Sequence, residues 1–216
     1  IQQEIEKARE GFLSQYDSAE AEFHKTRNPI YKEKMEKAEA QIKGLIAATQ
    51  AAASDPRMFL MTHSKMMVKL FGDLVPSSYK MSEKTEATLE HIEEILNLGE
   101  KVIIFSKFKT SIDMLKSDIS SKLKAKVVTY TGSENNEERK FALDSFKNDS
   151  DCNILLGTHA LAEGVNLQFA KFLINYDQPD TLAIKTQRIG RIRRVGSNHG
   201  QVIAYDMITL GSKDEE

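Results

Sequence analysis

The sequence predicts an α/β fold, a parallel β-sheet with helices on both faces, preceded by an N-terminal helical hairpin. Two observations predict it. From Lys101 onward, short β-branched apolar runs alternate with helix-compatible stretches, the pattern of strands buried on both faces. Before that, apolar residues recur every three or four positions along two long segments that meet at Arg27-Asn28-Pro29, the period of an amphipathic helix.

The elements follow in order. In the first arm Ile1, Ile5, Ala8, Phe12, Tyr16, Ala19 and Phe23 form one stripe; in the second, Met35, Ala38, Ile42, Leu45 and Thr49 do the same. Each stripe faces a dense surface of mixed charge, so the arms are expected to pack against each other. After Asp55-Pro56 comes a short helical stretch rich in methionine, Met58 to Leu70, read as adaptable packing. Gly72 to Ser78, with Pro76, reads as a linker. A helix is expected from Ser82 to Gly99, with Leu89, Ile92 and Leu96 inward and Gly99 closing its end. Strands are expected at Val102 to Phe105, Val127 to Tyr130, Ile154 to Leu156, Phe172 to Tyr176 and Val202 to Tyr205. Helices between them run from Thr110 to Leu123, opened by the capping pattern Thr110-Ser111-Ile112-Asp113, and from Glu134 to Lys147. The division expected is a hairpin protrusion over 1–53, a bridge and linker over 54–98 and the sheet lobe over 99–216.

Composition narrows the functional classes. With 216 residues and 40% hydrophobic content, the chain suffices for one ordinary core and a smaller appendage. A formal charge of −2 gives no overall basic signal, so nucleic acid would have to be met by local patches. One cysteine, Cys152, excludes an internal disulfide and a cysteine-rich zinc site and agrees with a reducing compartment. There is no apolar run of about 18 residues and no leader-like start. A soluble, intracellular, cytoplasmic chain without membrane contact is therefore expected. Its start at Ile1 suggests a piece of something longer.

The most informative run is Gln187-Arg188-Ile189-Gly190-Arg191-Ile192-Arg193-Arg194. Offsets of four and three place Gln187, Arg191 and Arg194 on one face of a helix. Between Thr181 and Gly200 stand five Lys or Arg and no Asp or Glu, so an external anion is the natural partner for such a pair of guanidinium forks. Gly190 costs a helix about 1 kcal/mol relative to Ala, which points to close approach of a backbone or a ligand. Arg188 and Arg193 fall on other faces and read as ordinary surface or nucleic-acid-side charges. A solvated basic face is the plainer alternative.

A second run, Gly157-Thr158-His159-Ala160-Leu161-Ala162-Glu163-Gly164-Val165-Asn166-Leu167, follows a buried strand. In a parallel sheet, ligands gather at the carboxyl ends of strands, which collects Ser106 to Phe108, Thr131-Gly132 and Thr158 on one rim. A threonine hydroxyl and exposed amides there suit a phosphate oxygen. Asn166 could equally close a turn. His159 lacks ligands at metal spacing, so no metal site is expected.

Taken in order and spacing, Val102 to Phe108, Tyr130-Thr131-Gly132, Gly157 through Asn175-Tyr176-Asp177 and Gln187 through Gly196 resemble the second RecA-like lobe of superfamily 2 helicases. More narrowly, the Glu163-Gly164-Val165-Asn166-Leu167-Gln168 run and Asn175-Tyr176-Asp177 are similar to bacterial and phage Swi/Snf-type DNA translocases. Ala52 to Pro56 and Ser82-Glu83-Lys84 resemble the family's bridge into this lobe. The likeness covers about Ala47 to Met207; the hairpin matches only in being a helical protrusion.

The resemblance implies ATP with Mg2+ in a cleft between two lobes, bound mainly by an N-terminal lobe outside this chain. Arg191 and Arg194 would be catalytic arginine fingers. Gln187, Glu163 and Gly164 would join them in binding ATP, while Thr158, Ser106, Lys107, Thr131, Gly132 and Asn166 would hold double-stranded DNA. The expected partners are the N-terminal RecA-like lobe and double-stranded DNA, in a monomeric protein. Departures from the family occur at Leu161-Ala162, where Gly-Gly is frequent, at Asp180-Thr181-Leu182 after Pro179, and at Arg193 and Ser197. No Gly-x-x-x-x-Gly-Lys-Ser/Thr loop and no paired acidic motif after a strand occur in the sequence, so the chain alone is expected to be inactive. A lobe of an RNA helicase and a non-catalytic α/β interaction module are the alternatives.

Overall fold

A computed structural model describes residues 2–61, 65–76, 78–193, 199–212 and 214, with the side chains of residues 2, 65–67 and 72 set aside. Arg194 and Ser197, singled out above, and the side chains of Met66 and Met67 therefore lie outside the described residues. The chain divides into two compact units, one of residues 1–80 with 211–216 and one of residues 81–210. The stretch expected as a bridge is split between them.

In the first unit, α1 (Gln2–Thr26) and α2 (Pro29–Ser54) form the expected antiparallel pair. Asn28 caps α2 through its side chain, which accepts from Ile30 N, and Pro29 occupies the first turn, where its missing N–H is harmless. Ile5, Leu45 and Ala48 bury their side chains with Phe59, Phe71 and Val75. The last three come from α3 (Met58–Met61), from α4 (Lys65–Phe71) and from the segment after it. The stretch read as a linker thus supplies one core residue, Val75.

The second unit is a five-stranded, all-parallel sheet. Its strands are β1 (Val102–Phe105), β2 (Val127–Tyr130), β3 (Ile154–Gly157), β4 (Phe172–Asn175) and β5 (Ile203–Asp206), in the spatial order β2-β3-β1-β4-β5. Alternate strand residues face opposite ways, and two apolar clusters result. Val102, Ile104, Ile154, Leu156, Phe172 and Ile174 pack with α5 (Glu83–Asn97) and α6 (Lys109–Lys122). Ile103, Phe105, Leu155 and Leu173 pack with α7 (Asn136–Asn148) and Ile192 of α8 (Leu182–Ile192). Helices therefore cover both faces, as the alternating pattern predicts.

The helix-end signals hold at some positions and not at others. Ser82 caps α5, and Gly99 takes φ +71° just past its end, the left-handed conformation glycine adopts without strain. Thr110, by contrast, does not open α6: the helix starts a residue earlier behind Phe108, with no side-chain cap, and Lys109 instead pairs with Asp113 at 2.7 Å. The box lies at Asn135 and Glu138, which exchange bonds with each other's backbone N–H groups. Glu134, expected inside that helix, stands before it. Among the described residues, no helix is long and apolar enough to cross a membrane.

Candidate functional site

The parallel register aligns Phe105 with Gly157 and with Asn175, so the loops after β1, β3 and β4 emerge side by side. After β3 the chain turns at once into a 3-10 turn, His159–Ala162. Gly157 permits this: a Cβ there would lie 2.4 Å from the Leu161 side chain. Leu161 and Ala162 are fully buried, so where the family often has Gly-Gly this chain plugs the loop into its core.

Two of the residues expected at the nucleotide meet here. Gln187 Nε2 and Arg191 Nε both donate to the Ala162 carbonyl, at 3.1 and 2.6 Å. They lie four apart on α8, hence on one side of it. The Leu167 amide in turn donates to the Arg191 carbonyl at 3.1 Å. One carbonyl thus holds two side chains and fixes the plane of the Arg191 guanidinium. Its two terminal nitrogens make no hydrogen bond or ion pair among the described residues. Glu163 and Gly164 follow directly and are exposed, Gly164 at φ +72°. His159 does have a carboxylate neighbour: Glu163 Oε1 lies 3.7 Å from its Nε2.

Of the expected triplet, Gln187 and Arg191 stand in the described helix; α8 ends at Ile192, with Arg193 extended at φ −94° and ψ 92°, and Arg194 lies outside the described residues. At Gly190 a Cβ would meet nothing within 4 Å among the described residues, so none of their backbone presses there, and of the expected backbone or ligand the ligand is left.

Arg188 is the largest correction. It is not a surface charge but 3% exposed. Its Nη1 donates to Asn175 Oδ1 at 2.7 Å and to the Asp177 carbonyl at 3.4 Å, and its guanidinium sits 5.0 Å from the Phe105 ring centre. Burial pushes its pKa below the ordinary arginine value, against Asp177, Asp180 and Asp206, which pull it up. Asn175 Nδ2 continues the chain of bonds to Asp206 Oδ1 at 2.8 Å, and Lys185 pairs with the other oxygen of Asp206. The available signal was the polar residues Asn175, Asp177 and Asp206 at the ends of apolar strands, which require a buried donor.

The residues assigned to DNA divide. Ser106 is fully buried, and its hydroxyl donates to the Asp177 carboxylate, which also accepts from Lys107 N at 2.9 Å. Thr131 is 2% exposed. Its amide and hydroxyl donate to Glu134 Oε2 at 2.5 and 2.6 Å. Neither hydroxyl is presented to a phosphate, and a carboxylate beside Thr131 would repel one; topology alone put both on the rim. Lys107 reaches outward but pairs with Asp180 at 2.5 Å. Asn166 is exposed and accepts from Gln168 N at 3.3 Å, closing a turn. Thr158 begins the 3-10 turn without using its hydroxyl as a cap. Gly132 is exposed.

Residues 83–196 match the family model described as the helicase conserved C-terminal domain. A pre-mRNA-splicing ATP-dependent RNA helicase of Chaetomium globosum is 32% identical over 128 residues, 58% of this chain and 17% of its own length. The chain thus spans a small part of that relative. The C-terminal part of the Fun30 ATPase domain has a similar structure, with TM-score 0.60 and 27% identity over 68% of this chain and 48% of that one. The Sulfolobus solfataricus SWI2/SNF2 ATPase core in complex with double-stranded DNA shares the fold over 97% of this chain and 40% of its own, with TM-score 0.56 and 22% identity.

Proposed function

The chain belongs to the helicase conserved C-terminal domain family, as the C-terminal RecA-like lobe of a superfamily 2 helicase, and on that premise we propose that it is half of an ATP-driven motor on double-stranded DNA. The observation that carries this reading is the fixed guanidinium of Arg191, pinned through Nε with both terminal nitrogens unpartnered among the described residues.

Such a fork matches two phosphate oxygens. When bound between two lobes, ATP with magnesium would supply the phosphoryl group whose transfer drives the cycle. Arg191 would reach its phosphates as an arginine finger, and Arg194 is assigned the second. Gln187 holds the 3-10 turn against α8, and Glu163 and Gly164, next along that turn, would line the nucleotide's side. Open space at Gly190 leaves room for the opposing lobe. Thr158, Gly132, Lys107 and Asn166 would meet DNA phosphates, Lys107 by exchanging Asp180 for a phosphate. Ser106 and Thr131 would shape those loops from beneath. A phosphate loop and magnesium ligands would come from the N-terminal lobe, so this chain alone would not turn over ATP.

Support for a duplex track is the Swi/Snf-like Glu163 to Gln168 run and a fold likeness that extends through the hairpin to a core bound to double-stranded DNA. A single-stranded RNA track is the second reading, favoured by the sequence likeness to an RNA helicase. ATP hydrolysis by the full-length protein separates them. Stimulation by duplex DNA and not by single-stranded RNA is expected; the reverse order would transfer the motor to RNA.

A further inference from the structure

We propose that the open edge of the sheet at β2 is a docking groove for an extended, basic and apolar peptide segment of a partner protein, added as a sixth strand. Within the five-stranded order β2 is terminal and, among the described residues, pairs only with β3. Such an edge leaves main-chain donors and acceptors ready for another strand, and natural proteins usually blunt or cover it. Here it lies open in a groove of about 520 Å³, floored by Val127, Val128 and Thr129, with Lys116 of α6 on one wall and Glu137 and Phe141 of α7 on the other.

Phe141 gives the groove an apolar anchor. The apolar stripe of α7 is complete without it, since Ala142 and Phe146 already face the sheet, yet Phe141 stands 68% exposed on the wall. An aromatic ring beside a strand edge is what a docked side chain can cover. Charge decides the occupant. Glu134, Glu137 and Glu138 border the groove against one lysine, and the Glu137 carboxylate has no hydrogen bond or ion pair among the described residues. A second copy would set carboxylates against carboxylates, so the partner carries Lys or Arg. Side chains alternate along an added strand: on the α7 side an apolar residue covers Phe141 and a cation meets Glu137, while the α6 side accepts neutral or acidic residues near Lys116. The nucleotide-facing residues of α8 take no part.

The test uses the complete 216-residue chain and two fluorescein-labelled extended peptides, repeats of Val-Thr-Lys-Thr or of Val-Thr-Glu-Thr, which set Val and the charged residue on one side of the strand and Thr on the other, read by fluorescence anisotropy and by amide NMR shifts. The basic peptide should bind, with shifts concentrated along Val127–Tyr130, and either Phe141→Ala or Glu137→Lys should weaken it about tenfold. Both variants alter exposed side chains; Phe141→Ala should leave the thermal midpoint unchanged, and Glu137→Lys, in the first turn of α7, should lower it only slightly. Equal binding of the acidic peptide, binding indifferent to both variants, shifts confined to another surface, or no binding would each overturn the proposal. So would self-association of the free chain abolished by Phe141→Ala, which would assign the groove to a second copy.

Discussion

Arg188 shows how much a single buried cation can organise. Its guanidinium serves Asn175 and Asp177 at once, and Asp177 in turn holds Ser106 and the Lys107 amide. Replacing it by methionine keeps bulk but strands those oxygens in the interior. We expect Arg188→Met to lower unfolding stability by about 3 kcal/mol, read from urea denaturation; a loss under about 0.5 kcal/mol, the scale of an ordinary surface change, would contradict the network. Helical spacing sorted Arg188 onto a different face from Gln187 correctly, but periodicity does not say which faces are buried, and here both are engaged. Glu134 offers a pH test. Burial would raise its pKa, but the Thr131 hydroxyl and amide outweigh this and hold it below the ordinary value. Its contribution to stability is therefore complete above the unfolded-state value of about 4.3 and is lost as pH falls through the folded-state value. The stability gap between the native chain and Glu134→Gln should be widest at neutral pH and close on acidification; a gap constant down to pH ~3 would show that the carboxylate is not what holds Thr131.

At the scale of elements, the strands were legible because continuous apolar runs such as Val102 to Phe105 have few other uses, and all four of its residues are fully buried. Helix starts were legible only where a cap follows an unambiguous turn, as at Ser82. Thr110 carries the right spacing and the wrong position, because the loop from β1 enters α6 at Phe108 before it reaches Thr110. The box that does form, Asn135 with Glu138, is expected to stabilise α7; Asn135→Ala should cost about 1 kcal/mol in thermal or chemical unfolding, and an unchanged midpoint would contradict its role. The spatial order of strands was not legible at all, since any connection between parallel strands crosses over a helix. For the same reason the rim could be named from topology while its exposed and buried members could not: Thr158 and Thr131 follow adjacent strands, yet only Thr131 bends under a carboxylate.

At the scale of the whole molecule, the unit of residues 81–210 is proposed to carry one half of a site. Its core is closed on both sheet faces, and the arginine fork on α8 has no anionic partner among the described residues. That arrangement makes sense if a second lobe brings the phosphates. The central claim is tested most directly by ATP hydrolysis in the full-length protein at saturating nucleic acid, comparing native protein with Arg191→Ala. A loss in kcat on the order of a thousandfold, with nucleic-acid affinity and thermal midpoint unchanged, is the expected result. Undiminished turnover in Arg191→Ala, or hydrolysis by the 216-residue chain on its own, would contradict the account.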